Sequence, residues 1–187
     1  MDQRSLVERA SAGDHDAFAI LVRGAIARLD AAARLIVRDP ELAGDAVQDA
    51  LMRAWRDLPG LRDPDRFDAW IHRLTIHSCL DLVRRRRRRA IEVELGPLDG
   101  PDVPDMQSLV ADRDSLDRAL RRLDPDQRAV IVVHYFLGVP LSETAAMLEI
   151  PVGTAKSRLN RSLMHMRVAI EADAAPVAAH YPGGHPA

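Results

Sequence analysis

Ile150-Pro151-Val152-Gly153-Thr154-Ala155-Lys156-Ser157-Arg158-Leu159-Asn160-Arg161-Ser162-Leu163-Met164-His165-Met166-Arg167 is the stretch that decides how the chain is read. Its spacing predicts a helix that starts just after Pro151. Ala155, Leu159, Ser162, Leu163 and Met166 recur at helical intervals and form one inward stripe. The opposite side carries Lys156, Arg158, Arg161 and Arg167, and no Asp or Glu occurs between Val152 and Arg167. About 16 residues at ~1.5 Å rise make roughly 24 Å of helix, enough to lie in a major groove of DNA.

A basic helix face taken alone is most often a solvated surface. The residues just before it point elsewhere. Leu141 to Leu148 reads as a short helix with Ala145 and Leu148 inward, and Glu149-Ile150-Pro151 as a tight break. A short helix, a brief turn and a longer basic helix make a helix-turn-helix. The two helices cross steeply, and Ala145 supplies the small residue that the crossing needs. The second helix then offers Thr154, Lys156, Ser157, Arg158 and Arg161 to DNA.

Pro151-Val152-Gly153-Thr154-Ala155-Lys156-Ser157-Arg158-Leu159 resembles the fourth conserved region of bacterial sigma factors, in particular the extracytoplasmic-function (ECF) group. In that family the region reads the −35 promoter element. LuxR-type regulators carry a similar helix-turn-helix, so the rest of the chain has to separate the two.

The chain has 187 residues, enough for one or two domains. It is 47% hydrophobic but only 4% aromatic, so its cores must be Leu, Val, Ile, Ala and Met, which suits packed helices. The net charge is −2, unevenly spread. A single cysteine, Cys79, excludes an intrachain disulfide and a thiolate metal cluster within the chain. No apolar run approaches ~18 residues and the start, Met1-Asp2-Gln3-Arg4, is polar, so a cytoplasmic protein without membrane insertion is expected.

Residues 1–89 read as one helical domain. A short helix over Ser5–Ala12 stops at Gly13-Asp14. Asp14 or Asp16 caps the next helix, which turns Phe18, Leu21, Val22, Ala25 and Leu29 inward and continues through Ala31–Val37. A third helix runs from Glu41 to about Leu58 with Leu42, Ala46, Val47, Ala50, Leu51, Ala54 and Trp55 inward. Its outer face holds Asp45, Gln48, Asp49, Arg53 and Arg56. Pro59-Gly60 stops it. A last helix runs from Phe67 to about Arg89, with Phe67, Trp70, Ile71, Leu74, Cys79 (or Ser78) and Leu82 inward, and closes on six consecutive arginines, Arg84 to Arg89.

Residues 90–112 differ in kind. They include Glu92, Glu94, Asp99, Asp102, Asp105 and Asp112, and neither Lys nor Arg. Pro97, Pro101 and Pro104 forbid a helix through the middle, so this is an acidic flexible linker. A second domain, 113–170, opens with a helix to Leu123. Asp124-Pro125-Asp126-Gln127 then looks like an N-cap, a Pro at the first helical position and a Gln at the third. That helix carries Val130, Ile131, Val133, His134 and Leu137, and ends at Gly138. Residues 171–187 read as a disordered tail. The expected fold is all-α, two small helical domains joined by the linker.

The resemblance extends across both domains, over about residues 5–89 and 114–168. Ala12-Gly13-Asp14 with Ala17-Phe18 looks like the opening of the family's second conserved region. Asp45-Ala46-Val47-Gln48-Asp49-Ala50-Leu51-Met52-Arg53-Ala54-Trp55 resembles its polymerase-binding helix, and Phe67-Asp68-Ala69-Trp70-Ile71-His72-Arg73-Leu74 with the arginines its −10-binding helix. The resemblance implies a sigma factor that binds core RNA polymerase (its beta and beta-prime subunits) and promoter DNA, with an anti-sigma factor as a further candidate partner. Asp45, Gln48, Asp49, Arg53 and Arg56 would meet the polymerase. Arg62, Arg66, Trp70, Arg73, His77, Arg84, Arg85, Arg86 and Arg87 would serve the −10 element, with the loop Pro59–Arg66 around a flipped base. Thr154, Lys156, Ser157, Arg158 and Arg161 would read the −35 element. The acidic linker would thread the polymerase's channels as a nucleic-acid mimic.

Departures from the family pattern are Gly44 where Glu is common, Ile76-His77 where Arg-Asn is common, Pro140 where a capping Ser is common, and Glu149 where a turn Gly is common. Glu149 in a left-handed conformation would cost about 1 kcal/mol. His72 and His77 diverge on one helix and cannot chelate together, and no catalytic triad, phosphate loop or paired-carboxylate motif stands out. No metal, cofactor or enzymatic activity is expected. The alternative is a conventional helix-turn-helix regulator that does not serve polymerase as a sigma subunit; it leaves Asp45–Trp55 and the arginine helix unexplained.

Overall fold

The structure, a computed structural model, describes residues 2–92 and 111–174. All regular structure among them is helical. α1 (Gln3–Ser11) gives way at Gly13, whose φ of +95° is open to glycine and strained for other residues. Asp14 accepts from the Ala17 amide at 3.0 Å and starts α2 (His15–Val37), one unbroken helix. Arg38 ends it in a left-handed conformation with φ 64°. The next residue, Asp39, takes the Glu41 and Leu42 amides at 3.1 Å each and starts α3 (Pro40–Asp57), with Pro40 where a missing N–H costs nothing.

Short 3-10 turns at Leu58–Gly60 and Pro64–Arg66 lead into α4 (Phe67–Glu92). Leu29, Ile36, Ala46, Ala54, Leu58, Phe67 and Ile71 are fully buried at the centre of the first unit. The core side of α3 includes Ala43, which the sequence stripe omits. α4 departs more. Thr75, Ile76, Ser78, Cys79 and Leu80 are all buried, a band too wide for one face of an amphipathic helix. The cause is tertiary: α4 packs on α2 and α3 from one side and on the second unit from the other.

The second unit begins with α5 (Ala111–Arg121). At α6 (Pro125–Ile131) the predicted cap is a full capping box: the Gln127 amide donates to Asp124 at 2.8 Å and the Asp124 amide donates to Gln127 at 3.1 Å. A π turn, Val132–Phe136, continues it without a break, and Gly138 turns the chain at φ +73°. α7 (Leu141–Met147) and α8 (Val152–Ala174) follow, with α8 lying across α5, α6 and α7.

On α8, Ala155, Leu159, Ser162, Met166 and Ala169 are buried. Leu163, expected inward, is 39% exposed. The buried positions step alternately by four and three, a narrow seam, and Leu163 sits beside it. Ser162 fills the seam instead, its hydroxyl donating to the Arg158 carbonyl at 2.7 Å.

Most of the proposed linker and tail, residues 93–110 and 175–187, lies outside the described residues. Within them, α4 runs on through 90–92 and α5 already begins at Ala111. No described helix is long and apolar enough to cross a membrane. The two units share one continuous cluster of buried residues.

Candidate nucleic-acid interface

Two long helices carry most of the basic residues singled out in the sequence. On α8, Lys156, Ser157 and Arg161 are exposed, while Thr154 and Arg158 are half-buried. The Ser157 hydroxyl donates to the Thr154 carbonyl at 3.0 Å, so that hydroxyl caps a turn of its own helix. Arg158 stands 3.8 Å from Asp126 at the start of α6. Glu149, in the turn before α8, adopts φ 55° as expected for that position. The basic face of α8 is therefore open to solvent at Lys156, Ser157 and Arg161.

The basic residues of α4 are less free. Arg73 donates to Glu149 at 2.5 Å, and the pairing holds the Glu149 carboxyl below its ordinary range. His77 Nε2 donates to the Met147 carbonyl at the end of α7, at 2.7 Å. Arg84 lies 3.7 Å from Asp81 and 3.4 Å from Asp126. Arg86 turns back to Asp39, the cap of α3, at 2.7 Å. Burial alone would raise the Asp39 carboxyl; the Arg86 hydrogen bond and the two amides outweigh it and hold it low. Arg86 is thus a strut of the first unit. Arg85 and Arg87 are exposed, as are Arg62 and Arg66, the latter 3.7 Å from Asp63. Trp70 is half-buried, with its ring 6.1 Å from that of Phe67.

The face of α3 also divides. Asp45, Gln48 and Arg56 are exposed, but Asp49 and Arg53 are tied to α4. The Ser78 hydroxyl donates to Asp49 at 2.8 Å, Arg53 pairs with Asp49 at 2.9 Å, and Arg53 lies 3.9 Å from Asp81. Between the exposed polar residues stands Met52, 67% exposed. Asp45, Gln48, Met52 and Arg56 follow helical spacing, and that spacing could have drawn Met52 into the face from sequence alone.

Sequence reasoning also missed a set of residues where the two units meet. Arg128 is buried, donating from Nε to the Ile36 carbonyl at 2.7 Å and from Nη1 to the Leu123 carbonyl at 2.5 Å. Burial pushes its guanidinium down to about 10, yet it stays charged at neutral pH. Arg38 pairs with Asp117 through two contacts, one of them 2.6 Å. Arg28 donates to the Leu137 carbonyl at 3.1 Å. An arginine directly before the apolar run Ala129-Val130-Ile131-Val132 was the one available signal.

Cys79 is buried and its thiol is pushed up to about 12, so it is not a nucleophile. Among the described residues no group of three or more His, Cys, Asp or Glu side chains is placed to hold a metal ion.

Comparison with known proteins agrees with this geometry. Residues 21–89 match the family described as Sigma-70 region 2, and residues 113–166 match Sigma-70, region 4. The ECF RNA polymerase sigma factor SigM of Mycobacterium tuberculosis is 38% identical over 152 residues, 81% of this chain and 76% of SigM. RNA polymerase sigma factor CnrH of Cupriavidus metallidurans is 32% identical over 183 residues, 91% of this chain and 95% of CnrH. The solved structure of CnrH in complex with the cytosolic domain of CnrY superposes with a TM-score of 0.65 at 29% identity, over 91% of this chain and 98% of that one. The sigma factor RpoE from Bartonella quintana, solved with the anti-sigma factor NepR, shares the fold at a TM-score of 0.72 and 24% identity, over 83% of this chain and 98% of that one.

Proposed function

The chain belongs to the ECF sigma factors of RNA polymerase, and from that premise we propose how its residues divide the work of starting a transcript. It binds core RNA polymerase, recognises −35 and −10 promoter elements and directs initiation. The observation that carries this reading is the pairing of two sigma regions in one chain, region 2 before region 4, with a full helix-turn-helix in the second. A conventional regulator would need only the helix-turn-helix.

The first unit (1–89) and the second (113–170) act as separate readers joined by the acidic linker (90–112), with the tail (171–187) beyond them. Asp45, Gln48 and Arg56 meet the polymerase directly. Met52 supplies an apolar anchor amid polar neighbours, and mixed charge around it favours register over bulk affinity. Asp49 and Arg53 belong to the same face but act partly through α4. A contact that reorients them moves Ser78 and Asp81 as well, linking polymerase docking to the DNA-reading helix.

Arg62, Arg66, Trp70, Arg73, His77 and Arg84 to Arg87 serve the −10 element. Arg85 and Arg87 are ready to meet phosphate, and Arg86 contributes by holding α4 to α3. Thr154, Lys156, Ser157, Arg158 and Arg161 read the −35 element, with Arg158 and Arg161 as the side chains suited to bidentate contacts with guanine. The protein makes no covalent bond itself and works in the cytoplasm. Because CnrH was solved with CnrY and the Bartonella factor with an anti-sigma factor, a protein partner that sequesters this chain is part of the proposal.

The test is co-elution with core polymerase followed by transcription from a promoter library. Promoter-dependent transcripts that require the chain support the reading. DNA binding without polymerase binding favours the regulator.

A further inference from the structure

Gly153, Lys156, Ser157, Asn160 and Arg161 are all exposed and lie on one side of α8, at the three- and four-residue spacings of a helix face. Asn160 is the one asparagine in the whole chain, so this surface does not use asparagine as routine polar filler. It stands in mid-helix, where asparagine is disfavoured because its amide competes for neighbouring backbone groups. At Asn160 no such bond forms: among the described residues its amide has no hydrogen-bond partner. Its acceptor oxygen and its donor nitrogen are both left for something outside the chain.

The neighbours of Asn160 offer something different. Lys156 and Arg161 carry donors and no acceptor. Ser157 already donates its hydroxyl proton to the Thr154 carbonyl at 3.0 Å. Thr154 and Arg158 are half-buried, and Arg158 faces Asp126 at 3.8 Å. No Asp or Glu occurs between Val152 and Arg167. Base edges in the major groove sort in the same way. Guanine offers two acceptors, which Lys and Arg match. Adenine offers an acceptor, N7, beside a donor, the N6 amino group, and a side-chain amide matches both at once. From Val152 to Arg161, Asn160 alone carries such an amide. It lies eight residues beyond Val152, about 12 Å along the axis, in the N-terminal half of α8 that a helix-turn-helix turns toward bases.

We propose that Asn160 is a specificity residue of the −35 site and reads an adenine, its Oδ1 accepting from the N6 amino group and its Nδ2 donating to N7. The proposal rests on the sigma-factor reading and adds a base to it. The −35 element of this chain contains an adenine close to the guanine contacted by Lys156 or Arg161. Lys156 and Asn160 are about 6 Å apart along the helix axis, so the two bases lie within roughly two base pairs of each other. Asparagine also serves as a phosphate contact in protein–DNA interfaces, and such a contact carries no base preference.

Asn160→Ala in the full chain, assembled with core polymerase, tests this. Alanine is the better helix former at an exposed mid-helix position, so the urea midpoint should hold or rise and misfolding does not explain a change. The probe is a panel of fluorescein-labelled duplex promoters in which each −35 position takes all four bases in turn. The unsubstituted holoenzyme should prefer adenine at one −35 position by about tenfold, and Asn160→Ala should erase the preference at that position alone. Replacing that adenine with 7-deazaadenine, which lacks the N7 acceptor, should weaken the unsubstituted holoenzyme and leave Asn160→Ala unchanged. Equal weakening on every promoter marks a phosphate contact and overturns the proposal. An intact adenine preference in Asn160→Ala, or indifference of the unsubstituted holoenzyme to 7-deazaadenine, overturns it too and leaves polymerase binding standing. Failure of the unsubstituted chain to co-elute with core enzyme overturns the sigma-factor reading and the proposal with it.

Discussion

α4 and α8 are both long and rich in arginine, and the fold treats them differently. α8 lies on the outside of its unit, buried along a single seam, with Lys156, Ser157 and Arg161 open to solvent. α4 is held from two sides, and Arg73, Arg84 and Arg86 are each paired with a carboxylate from another part of the chain. Basic residues on a helix are open to a partner only where nothing else in the chain claims them. Substitutions in α8 should therefore report on DNA, and substitutions in α4 on DNA and stability together.

The largest effect is expected deep in α4. Phe67 is fully buried at its start, so Phe67→Ala should cost about 3–5 kcal/mol. Urea unfolding measures it, and a loss below about 1 kcal/mol would mean that α4 is not central to the core. Next, Arg158→Ala and Arg161→Ala should each weaken promoter binding by about 1–3 kcal/mol, with relaxed preference at one −35 position. Their unfolding midpoints should stay close to that of the unsubstituted chain, which separates the open helix from the braced one. Arg86→Ala comes third. It removes a half-buried partner from the α3 cap and should cost about 1 kcal/mol of stability. Lys156→Ala, its counterpart on α8, should change stability by less than about 0.5 kcal/mol.

The smallest effect is a dependence on acid. Asp39, Asp117 and Glu149 all have carboxyls held below their ordinary range. At Asp117 and Glu149 the first cause is an arginine hydrogen bond; at Asp39 pairing outweighs burial. A carboxyl depressed in the folded chain takes up a proton more readily when unfolded. Its stabilisation is present above the unfolded value, near about pH 4, and is lost as pH falls through the folded one. The urea midpoint should fall between about pH 5 and pH 3, and Arg86→Ala should flatten that fall by removing the Asp39 share. An equal slope in Arg86→Ala would show that Asp39 gains nothing from its partner.

Much of this was legible in the sequence because the signals are local. Asp14 caps a helix, Asp124 with Gln127 forms a capping box, and Gly13 and Gly138 mark turns, each through residues close in the chain; the cap at Asp39, one residue before Pro40, was there to be read in the same way. The start of α8 after Pro151 follows from the same short-range chemistry, while the left-handed Glu149 was expected from the family resemblance, which has a turn glycine there. Long-range facts were not legible. Periodicity puts Asp49 and Arg53 on an outer face but says nothing of Ser78 and Asp81 beyond them. It omits Ile76 from the core because a single-face stripe does not foresee a helix packed against elements of both units. It counts Leu163 inward because a seam and a broader stripe share their first positions. The sequence reading ends this helix at about Arg89, and α4 continues to Glu92. Successive side chains radiate at helical steps, and Asp39, Asp81 and Asp126 neutralise part of the run.

The measurement that bears most directly on the central claim is transcription by core polymerase, with this chain added, from templates mutated separately in the −35 and −10 elements. Arg161→Ala on α8 should alter the ranking of −35 templates and leave the −10 ranking unchanged. Arg87→Ala on α4 should lower transcription through the −10 region alone. Transcripts independent of the chain, or substitutions on either helix that leave both rankings unchanged, would contradict the assignment of α4 and α8 as the two promoter readers.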